Sequence, residues 1–237
     1  MTPVERYRDW IALQLEFAEA VQTRRGGGFG EVVRTHTNIH RRLGLGRPGD
    51  VAGAEWRAFV KDLRPGASGL NHTMRHLTKR FAPLEAGTYA FGWFGYSLFG
   101  ETSVRLHFIR PPDSAETRPL AVAAQQRRRD ELRALAEHVA GAHPGRDTAV
   151  GFSWLYNLER YRALFPPTAM GALLPVERPA CSGAPIWCQF LDGRDGLRAE
   201  PAAEFRRRFA GLDPERPHLA FPLQPLRADI EVEAFLG

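Results

Sequence analysis

Residues 104–155 read as a strand, a long helix and a second strand, and this segment constrains the fold of the 237-residue chain most strongly. Apolar and polar residues alternate over 104–109, which is typical of a strand with one buried face. Residues 120–142 carry apolar side chains at helical spacing, and 149–155 again favour a strand. Two strands joined by a helix normally pair in parallel through a right-handed crossover. The segment therefore predicts a βαβ unit within a sheet.

The sequence before this unit has the apolar spacing of helices rather than of strands. Apolar residues at three- and four-residue spacing predict helices over 4–23, 31–43, 52–63 and 70–81, and the pattern changes near Pro83. After the βαβ unit, we predict a short helix over 158–165, a strand over 185–191 and a helix over 201–212. Together these elements predict an α+β fold in which a helical N-terminal third, 1–82, packs on a mixed sheet within 83–237. We expect one compact domain over 1–237.

Composition excludes several classes of protein. The apolar fraction of 43% is ordinary for a globular chain, and no run approaches the roughly 18 to 20 apolar residues of a membrane span. Charged residues occupy the N-terminus where a signal peptide would have its apolar core. We therefore expect a cytoplasmic protein without a membrane partner, in which Cys181 and Cys188 are reduced thiols.

The charge is positive, with a formal net value of +5, and it is carried almost entirely by arginine. Its densest runs, 127–129 and 206–208, fall within predicted amphipathic helices, where solvated faces explain them. Positive charge permits binding of anions without selecting one. We expect a small-molecule substrate rather than nucleic acid.

Two copies of the pattern His-Thr-x-x-His form the sharpest local motif. They place His36 with His40, and His72 with His76. On a helix, residues four apart share a face, so each pair could present two imidazoles to one metal ion such as zinc, iron or copper. The alternative is a structural role, because His36 falls in an apolar stripe and no further metal signature accompanies the pairs.

A glycine cluster at 26–30 follows two arginines and leads into a predicted helix. Glycines allow close approach of the backbone, and a helix N-terminus favours anions, so a phosphate could bind there. Nucleotide-binding loops, however, follow a strand rather than a helix. A flexible connection between two helices is the alternative, and we favour it.

Polar residues cluster at the carboxyl ends of the two strands of the predicted βαβ unit, where ligands of parallel sheets bind. His107 lies near the end of the first strand, on the face opposite Leu106 and Phe108, and Arg110 follows that strand. Ser153 and Asn157 lie at and just beyond the end of the second strand. These groups could line a pocket. A well-packed strand end with Trp154 in the core is the alternative.

The region around these strand ends resembles the GNAT superfamily of acyltransferases. The residues that carry the resemblance are Leu106-His107-Phe108-Ile109, Phe152-Ser153-Trp154-Leu155 and Leu164-Phe165-Pro166-Pro167, within about residues 104–190. The resemblance implies a GNAT-like half-sheet with acyl-coenzyme A, or another acyl donor, in a cleft between splayed strands. The loop 110–120 lacks the glycines with which the superfamily usually binds pyrophosphate.

The resemblance also implies roles for individual residues. A general base would assist attack by an amine on the thioester, and an acid would protonate the thiolate. His107 is the first candidate for the base, and Tyr156 or Tyr161 for the acid. The candidate catalytic residues are therefore His107, Ser153 and Tyr156, and the candidate substrate-binding residues are Arg110, Trp154, Asn157 and Tyr161.

Three functions remain open from the sequence. The first is a GNAT-like transferase acting on a small-molecule or carrier-bound acyl group, with acyl-coenzyme A as a candidate cofactor. The second is a metal-dependent enzyme built on the two histidine pairs. The third is a non-catalytic binding protein whose arginine-rich faces meet an acidic partner.

Overall fold

A computed structural model of the chain describes residues 3–45, 53–81, 89–111, 113–167 and 170–236. These residues form nine α-helices and six β-strands, besides short 3₁₀ turns. The helices are α1 (Arg8–Arg25), α2 (Phe29–His36), α3 (Ile39–Arg42), α4 (Ala54–Lys61), α5 (Ala67–Arg80), α6 (Gln125–Ala142), α7 (Glu159–Arg162), α8 (Ala184–Trp187) and α9 (Ala199–Ala210). The strands are β1 (Tyr89–Phe91), β2 (Phe94–Phe99), β3 (Ser103–Phe108), β4 (Thr148–Ser153), β5 (Leu174–Pro175) and β6 (Leu226–Glu231).

The chain divides into two compact units. The helical unit comprises Met1–Leu84 and Arg178–Pro222, and the sheet unit comprises Glu85–Glu177 and Leu223–Gly237. The segment 178–222 thus groups with the N-terminal helices, although it follows most of the sheet in sequence. A single domain over 1–237 stays a prediction. Within the described residues, no helix is both long and apolar enough to cross a membrane.

The helical unit is built around α1. Its residues Trp10, Leu13, Phe17 and Val21 recur at helical spacing, as the sequence predicted, and all four are fully buried. The Phe17 ring packs against four aromatic rings contributed by 178–222, whose centroids lie 5.0 to 5.9 Å from its own. These rings are Trp187, Phe205, Phe209 and Phe221. Aromatic packing therefore joins the two sequence-distant parts of this unit.

The helix predicted over 31–43 is wrong as a continuous element. It consists of α2 and α3, separated by Thr37 in extended conformation and by Asn38. Thr37 Oγ1 donates to the Val33 carbonyl at 2.6 Å, and the Asn38 amide donates to Gln14 Oε1 at 3.0 Å. The Gln14 side chain thus replaces the backbone partner that a continuous helix would supply to the Asn38 amide, and the Thr37 hydroxyl adds a second donor to the last turn of α2.

The strand predicted over 185–191 is also wrong, because the segment is helical. It forms α8 followed by a 3₁₀ turn, Cys188–Phe190. Pro185 occupies the first turn of α8, where its fixed φ and missing N–H are tolerated. Ile186, Trp187 and Phe190 are all buried in the helical unit. A short apolar run cannot be assigned to strand or helix by periodicity alone, and here packing decided in favour of helix.

The α+β class with a mixed sheet and one βαβ unit is confirmed. The six strands lie in the order β1-β2-β3-β4-β6-β5. The pair β3–β4 is parallel and is connected through α6, whereas the other neighbouring pairs are antiparallel. One sheet face packs on the apolar stripe of α6, which includes Leu132, Leu135 and Val139. The polar residues proposed from the sequence lie at the carboxyl ends of this parallel pair.

Candidate functional site

The parallel strands β3 and β4 separate before they end. Their pairing runs from Ser103↔Thr148 to Leu106↔Gly151, whereas β3 continues to Phe108 and β4 to Ser153. Beyond Leu106 and Gly151, β3 stays paired with β2, and β4 stays paired with β6. Over the described residues, the last two residues of each strand therefore lie beyond the end of the β3–β4 pairing. We call this feature the strand opening.

The Tyr156 hydroxyl group lies at the inner end of the strand opening. An ideal Cβ built on Gly151 would be 1.9 Å from the Tyr156 oxygen, so this tyrosine occupies the space that a side chain at position 151 would need. Tyr156 is fully buried, and its oxygen has no hydrogen-bond partner of normal geometry among the described residues. A buried hydroxyl without a partner is energetically unfavourable, and it marks this point as a place where a polar ligand group could bind.

Tyr161 lies beside Tyr156, with ring centroids 5.2 Å apart. Burial raises the pKa of both phenols. At Tyr156, the Tyr161 hydroxyl lowers the pKa and the nearby negative charge of Asp229 raises it, and the effect of burial is the largest of the three. Both groups therefore carry their protons at neutral pH. In chemical terms, the pair can donate a proton or a hydrogen bond but cannot act as a base.

The residues around Tyr156 hold the turn that follows β4. Ser153 Oγ accepts a hydrogen bond from the Leu155 amide at 3.1 Å, and it thereby caps the 3₁₀ turn Trp154–Asn157. Asn157 Nδ2 donates to the carbonyls of Trp154 and Gln224, each at 2.8 Å. Trp154 is buried. Ser153, Trp154 and Asn157 thus position Tyr156, and among the described residues no base lies within hydrogen-bond distance of Ser153 Oγ to activate it as a nucleophile.

His107 lies at the same end of the sheet but on its other face. Leu106 pairs with Gly151, and successive residues of a strand alternate between faces, so His107 faces away from Tyr156. Its Nε2 lies 2.9 Å from Ser97 Oγ on the neighbouring strand. Arg110 Nε donates to the Ser114 carbonyl at 3.2 Å and so braces the loop after β3. The structure does not bring His107 and Tyr156 together on one face.

The sequence interpretation missed two features of this region. The first is Gly151, whose position inside a strand is the usual sign of a close backbone approach. The second is Phe152, on the same face as His107. The guanidinium groups of Arg105 and Arg227 lie 5.2 and 5.8 Å from its ring centroid. Cation–π contacts of this kind depend on strand register, which the sequence does not reveal.

In the helical unit, the rings of His72 and His76 lie side by side on α5, with centroids 4.4 Å apart, whereas His36 and His40 belong to different helices. His36 ends α2 and His40 lies in α3, so the first pair does not share one helix. His72 Nε2 donates to the Phe59 carbonyl at 2.8 Å, and His76 Nδ1 donates to the His72 carbonyl at 3.0 Å. Within the described part of the chain, no three His, Cys, Asp or Glu residues are placed to hold a metal ion. The predicted four-histidine arrangement is not formed there.

Comparison of the chain with protein-family models, with curated protein sequences and with solved structures gives no significant match. The functional assignment therefore rests on the geometry of the site.

Proposed function

We propose that the sheet unit is a GNAT-like acyltransferase that moves an acyl group from a thioester to the amine of a small molecule. The observation that carries this proposal is the strand opening between β3 and β4. The sequence resemblance implies an acyl donor in a cleft between splayed strands, and the opening provides such a place at the carboxyl ends of the parallel pair. Ligands of sheets with parallel strands favour this end.

The strand opening is suited to an extended ligand that contains amide groups. Where two strands separate, backbone N–H and C=O groups that would have paired across the ladder become available to a guest. Phe108 on β3 and residues 152–153 on β4 lie along these edges. The arm of a coenzyme A or carrier-protein thioester contains amides and would lie between them like an added strand.

Tyr156 is the proposed acid. During transfer, the amine nitrogen bonds to the acyl carbon, the carbon–sulfur bond breaks, and the thiolate takes a proton. Burial keeps Tyr156 protonated, and its oxygen has no partner of normal geometry among the described residues, so it can donate to the departing sulfur. Because His107 lies on the opposite face of the sheet, the amine passes its own proton to solvent rather than to this histidine.

The loop between β3 and α6 bears on how the thioester donor is recognised. The loop between β3 and α6 contains no glycine, and ion pairs of Glu116 with Arg127 and Arg128 hold it. A loop of this kind differs from the usual pyrophosphate-binding loop of the superfamily. We therefore propose a donor recognised through its thioester arm, either free or attached to a carrier, in a cytoplasmic setting.

The test is calorimetric binding of two thioesters, acetyl-coenzyme A and acetyl-N-acetylcysteamine, the second of which lacks phosphates. We expect saturable binding of at least one. The variant Gly151→Ala should abolish it, because the new methyl group collides with Tyr156. Gly141→Ala, where a methyl group meets open space, is the matched control. Absence of binding of both thioesters to the folded wild-type chain overturns the proposal.

A second variant separates catalysis from binding. Tyr156→Phe should bind the thioester as well as the wild type does, but it should release thiol about 10²- to 10⁴-fold more slowly, the usual contribution of a general acid. Thiol release is followed with a chromogenic disulfide in the presence of a panel of primary amines. If the wild type binds thioester and never releases thiol, the non-catalytic binding protein becomes the better interpretation.

A further inference from the structure

The helical unit contains a row of buried polar side chains where α1 meets the break between α2 and α3. Gln14 Oε1 accepts a hydrogen bond from the Asn38 amide at 3.0 Å. Four residues away on each segment, the Arg42 guanidinium lies 5.2 Å from the Trp10 ring centroid. Residues four apart share one face of a helix, so these two contacts lie side by side. We call the side chains of Gln14, Asn38 and Arg42 the polar row.

The polar row is closed from solvent, but its hydrogen bonds are incomplete. Gln14 and Asn38 are 0% exposed, and Arg42 is 5% exposed. Among the described residues, Gln14 Nε2, both polar atoms of the Asn38 side chain and Arg42 Nε have no hydrogen-bond partner of normal geometry. Buried polar groups nearly always have partners, because water no longer hydrates them. Such atoms from three side chains at one helix contact therefore mark a place for a polar guest.

The polar row offers more donors than acceptors. The orientation of the Gln14 carboxamide is fixed, because its oxygen must face the Asn38 amide, and its Nε2 is therefore a donor. Asn38 Nδ2 and Arg42 Nε are donors as well, whereas the Asn38 side-chain oxygen is an acceptor. This balance favours a guest that accepts hydrogen bonds.

The charge of Arg42 favours a negative guest. Its guanidinium lies 5.2 to 5.4 Å from the ring centroids of Tyr7, Trp10 and Phe81. In the part of the chain that the structure describes, no carboxylate forms an ion pair with it. Aromatic faces stabilise a cation in part, but a buried charge is normally paired with an opposite charge.

One acidic side chain acts on the same neighbourhood. The Tyr7 hydroxyl donates a hydrogen bond to Asp195, and burial together with this carboxylate raises the pKa of Tyr7 to about 12, against the effect of Arg42. Burial also raises the pKa of the Cys188 thiol, which Arg42 lowers and Asp195 raises. Asp195 thus balances part of the Arg42 charge from a distance, but it does not supply the acceptor that Arg42 Nε lacks among the described residues.

His40 lies in the same turn as Asn38 and Arg42 but does not belong to the polar row. It is buried, and its ring packs edge-on against Trp56 with centroids 6.3 Å apart. Burial, aided by the charges of nearby arginines, lowers the pKa of His40 to about 4. The ring is therefore neutral at neutral pH and adds no charge to that of Arg42.

We propose that the polar row binds a small monovalent anion, of the size of chloride or formate. Arg42 Nε and the two carboxamide nitrogens donate to it, and hydrogen bonds to a charged partner are stronger than those to a neutral one. Water would accept the same hydrogen bonds but would leave the buried charge uncompensated. Larger anions are excluded because Gln14 and Asn38 have no exposed surface. This site is independent of the thioester site proposed for the sheet unit.

The experiment measures thermal unfolding of the full chain in sodium chloride, sodium formate and sodium gluconate at equal ionic strength. Gluconate is too large for a closed site, and it screens surface charges as the other salts do. A ligand that binds the folded chain alone raises the unfolding midpoint. We expect the midpoint to be about 3–6 °C higher in chloride or formate than in gluconate, the shift produced by a tenfold excess of ligand over its Kd.

Arg42→Met removes the charge and keeps a long side chain against the three rings. It should fold, because replacing a buried charge by an apolar side chain of similar volume is often neutral or stabilising. It should lose the difference between salts that the wild type shows. Arg75→Met, which removes an exposed arginine from α5 in the same unit, is the matched control and should keep that difference.

A second variant carries the test if Arg42→Met fails to fold. Gln14→Glu keeps an oxygen for the Asn38 amide and places a carboxylate in the polar row, so it replaces the anion. Its midpoint in gluconate should exceed that of the wild type, and the response to chloride and formate should disappear.

Three results overturn the proposal. The first is a wild-type midpoint that is the same in all three salts. The second is an equal response in Arg42→Met and Arg75→Met, because attraction to the net positive charge of the chain would then explain it. The third is a Gln14→Glu variant that keeps the wild-type response. A response that is lost in the variants of the polar row and kept in Arg75→Met supports the proposal.

Discussion

The Glu131 carboxylate accepts a hydrogen bond from the backbone amide of Trp93 at 3.0 Å, and this contact ties α6 to the turn between β1 and β2. The same carboxylate forms an ion pair with Arg128, whose side chain is buried. Arg128 also pairs with Glu116 and lies over the Trp93 ring, 5.4 Å from its centroid. The helix of the βαβ unit is thus fastened to the edge of the sheet by one acidic side chain.

The variant Glu131→Gln tests this fastening. It keeps an acceptor for the Trp93 amide but removes the charge that faces Arg128, which would then depend on Glu116 alone. We expect the free energy of unfolding to fall by about 1–3 kcal/mol, the usual cost of weakening a buried charge-assisted contact. Chemical denaturation measures it. Glu137→Gln, exposed on the same helix, is the control, and an equal loss in both variants would contradict the prediction.

A glycine beside this contact gives a second prediction. Gly92 has φ +60°, and an ideal Cβ there would be 2.2 Å from the Glu131 carboxylate. Gly100 has the same φ, but its Cβ would meet open space. Both Gly→Ala variants should pay roughly 1–2 kcal/mol for the left-handed backbone. Gly92→Ala should lose about 1–3 kcal/mol more, because Glu131 must give up its contacts.

Denaturation midpoints of the two variants, and of each combined with Glu131→Ala, measure this difference. In the Glu131→Ala background, the excess cost at position 92 should disappear. An excess that persists there would show that backbone strain, rather than the carboxylate, makes glycine necessary at position 92.

The close approach of Tyr156 to Gly151 gives a third prediction. Gly151→Ala should destabilise the sheet unit by about 1–3 kcal/mol through overpacking. Gly141→Ala should be neutral or slightly stabilising, since alanine is favoured over glycine within a helix. Tyr156→Phe alone should be close to neutral, because it removes a buried hydroxyl that has no partner of normal geometry among the described residues.

The double variant decides whether the hydroxyl causes the effect. Gly151→Ala should cost less in the Tyr156→Phe background, where the atom nearest to the new methyl group is absent. Strictly additive effects in this double-mutant cycle would mean that the two positions do not interact.

The sequence predicted the part of the fold that local patterns encode. Alternation over 104–109 and helical spacing over 120–142 identified β3, α6 and their parallel partner, because one-sided burial imposes those periods. It failed where side chains compete with the backbone, as at Thr37 and Asn38. The prediction from sequence also failed over 185–191. The apolar run there fits a strand or a helix equally well, and its packing in the helical unit favours the helix.

The sequence predicted where in the sheet the candidate site lies, but not how its residues are arranged. Strand ends of a βαβ unit are expected to gather polar residues, and alternation alone put His107 on the face opposite Leu106. Two facts needed the structure. The ladder opens beyond Leu106 and Gly151, and the turn after β4 returns Tyr156 onto Gly151. Both depend on register and on packing between segments that are not adjacent in the ladder.

A fourth prediction concerns the pH dependence of stability. His40 has a pKa of about 4 in the folded protein, whereas an exposed histidine titrates near 6.5, so the unfolded chain binds a proton that the folded chain resists. The stabilisation that results is complete above pH 6.5. It is lost as the pH falls from 6.5 towards 4. At pH 5, the wild type should have lost about 2 kcal/mol through this residue alone.

The measurement compares the free energy of unfolding at pH 7.5 and pH 5.0 in the wild type and in His40→Gln. Other titrating groups contribute equally to both proteins, so the difference between the two pH effects isolates position 40. The wild type should lose about 2 kcal/mol more than the variant. Equal losses in the two proteins would show that His40 is accessible to protons when folded, contrary to its burial.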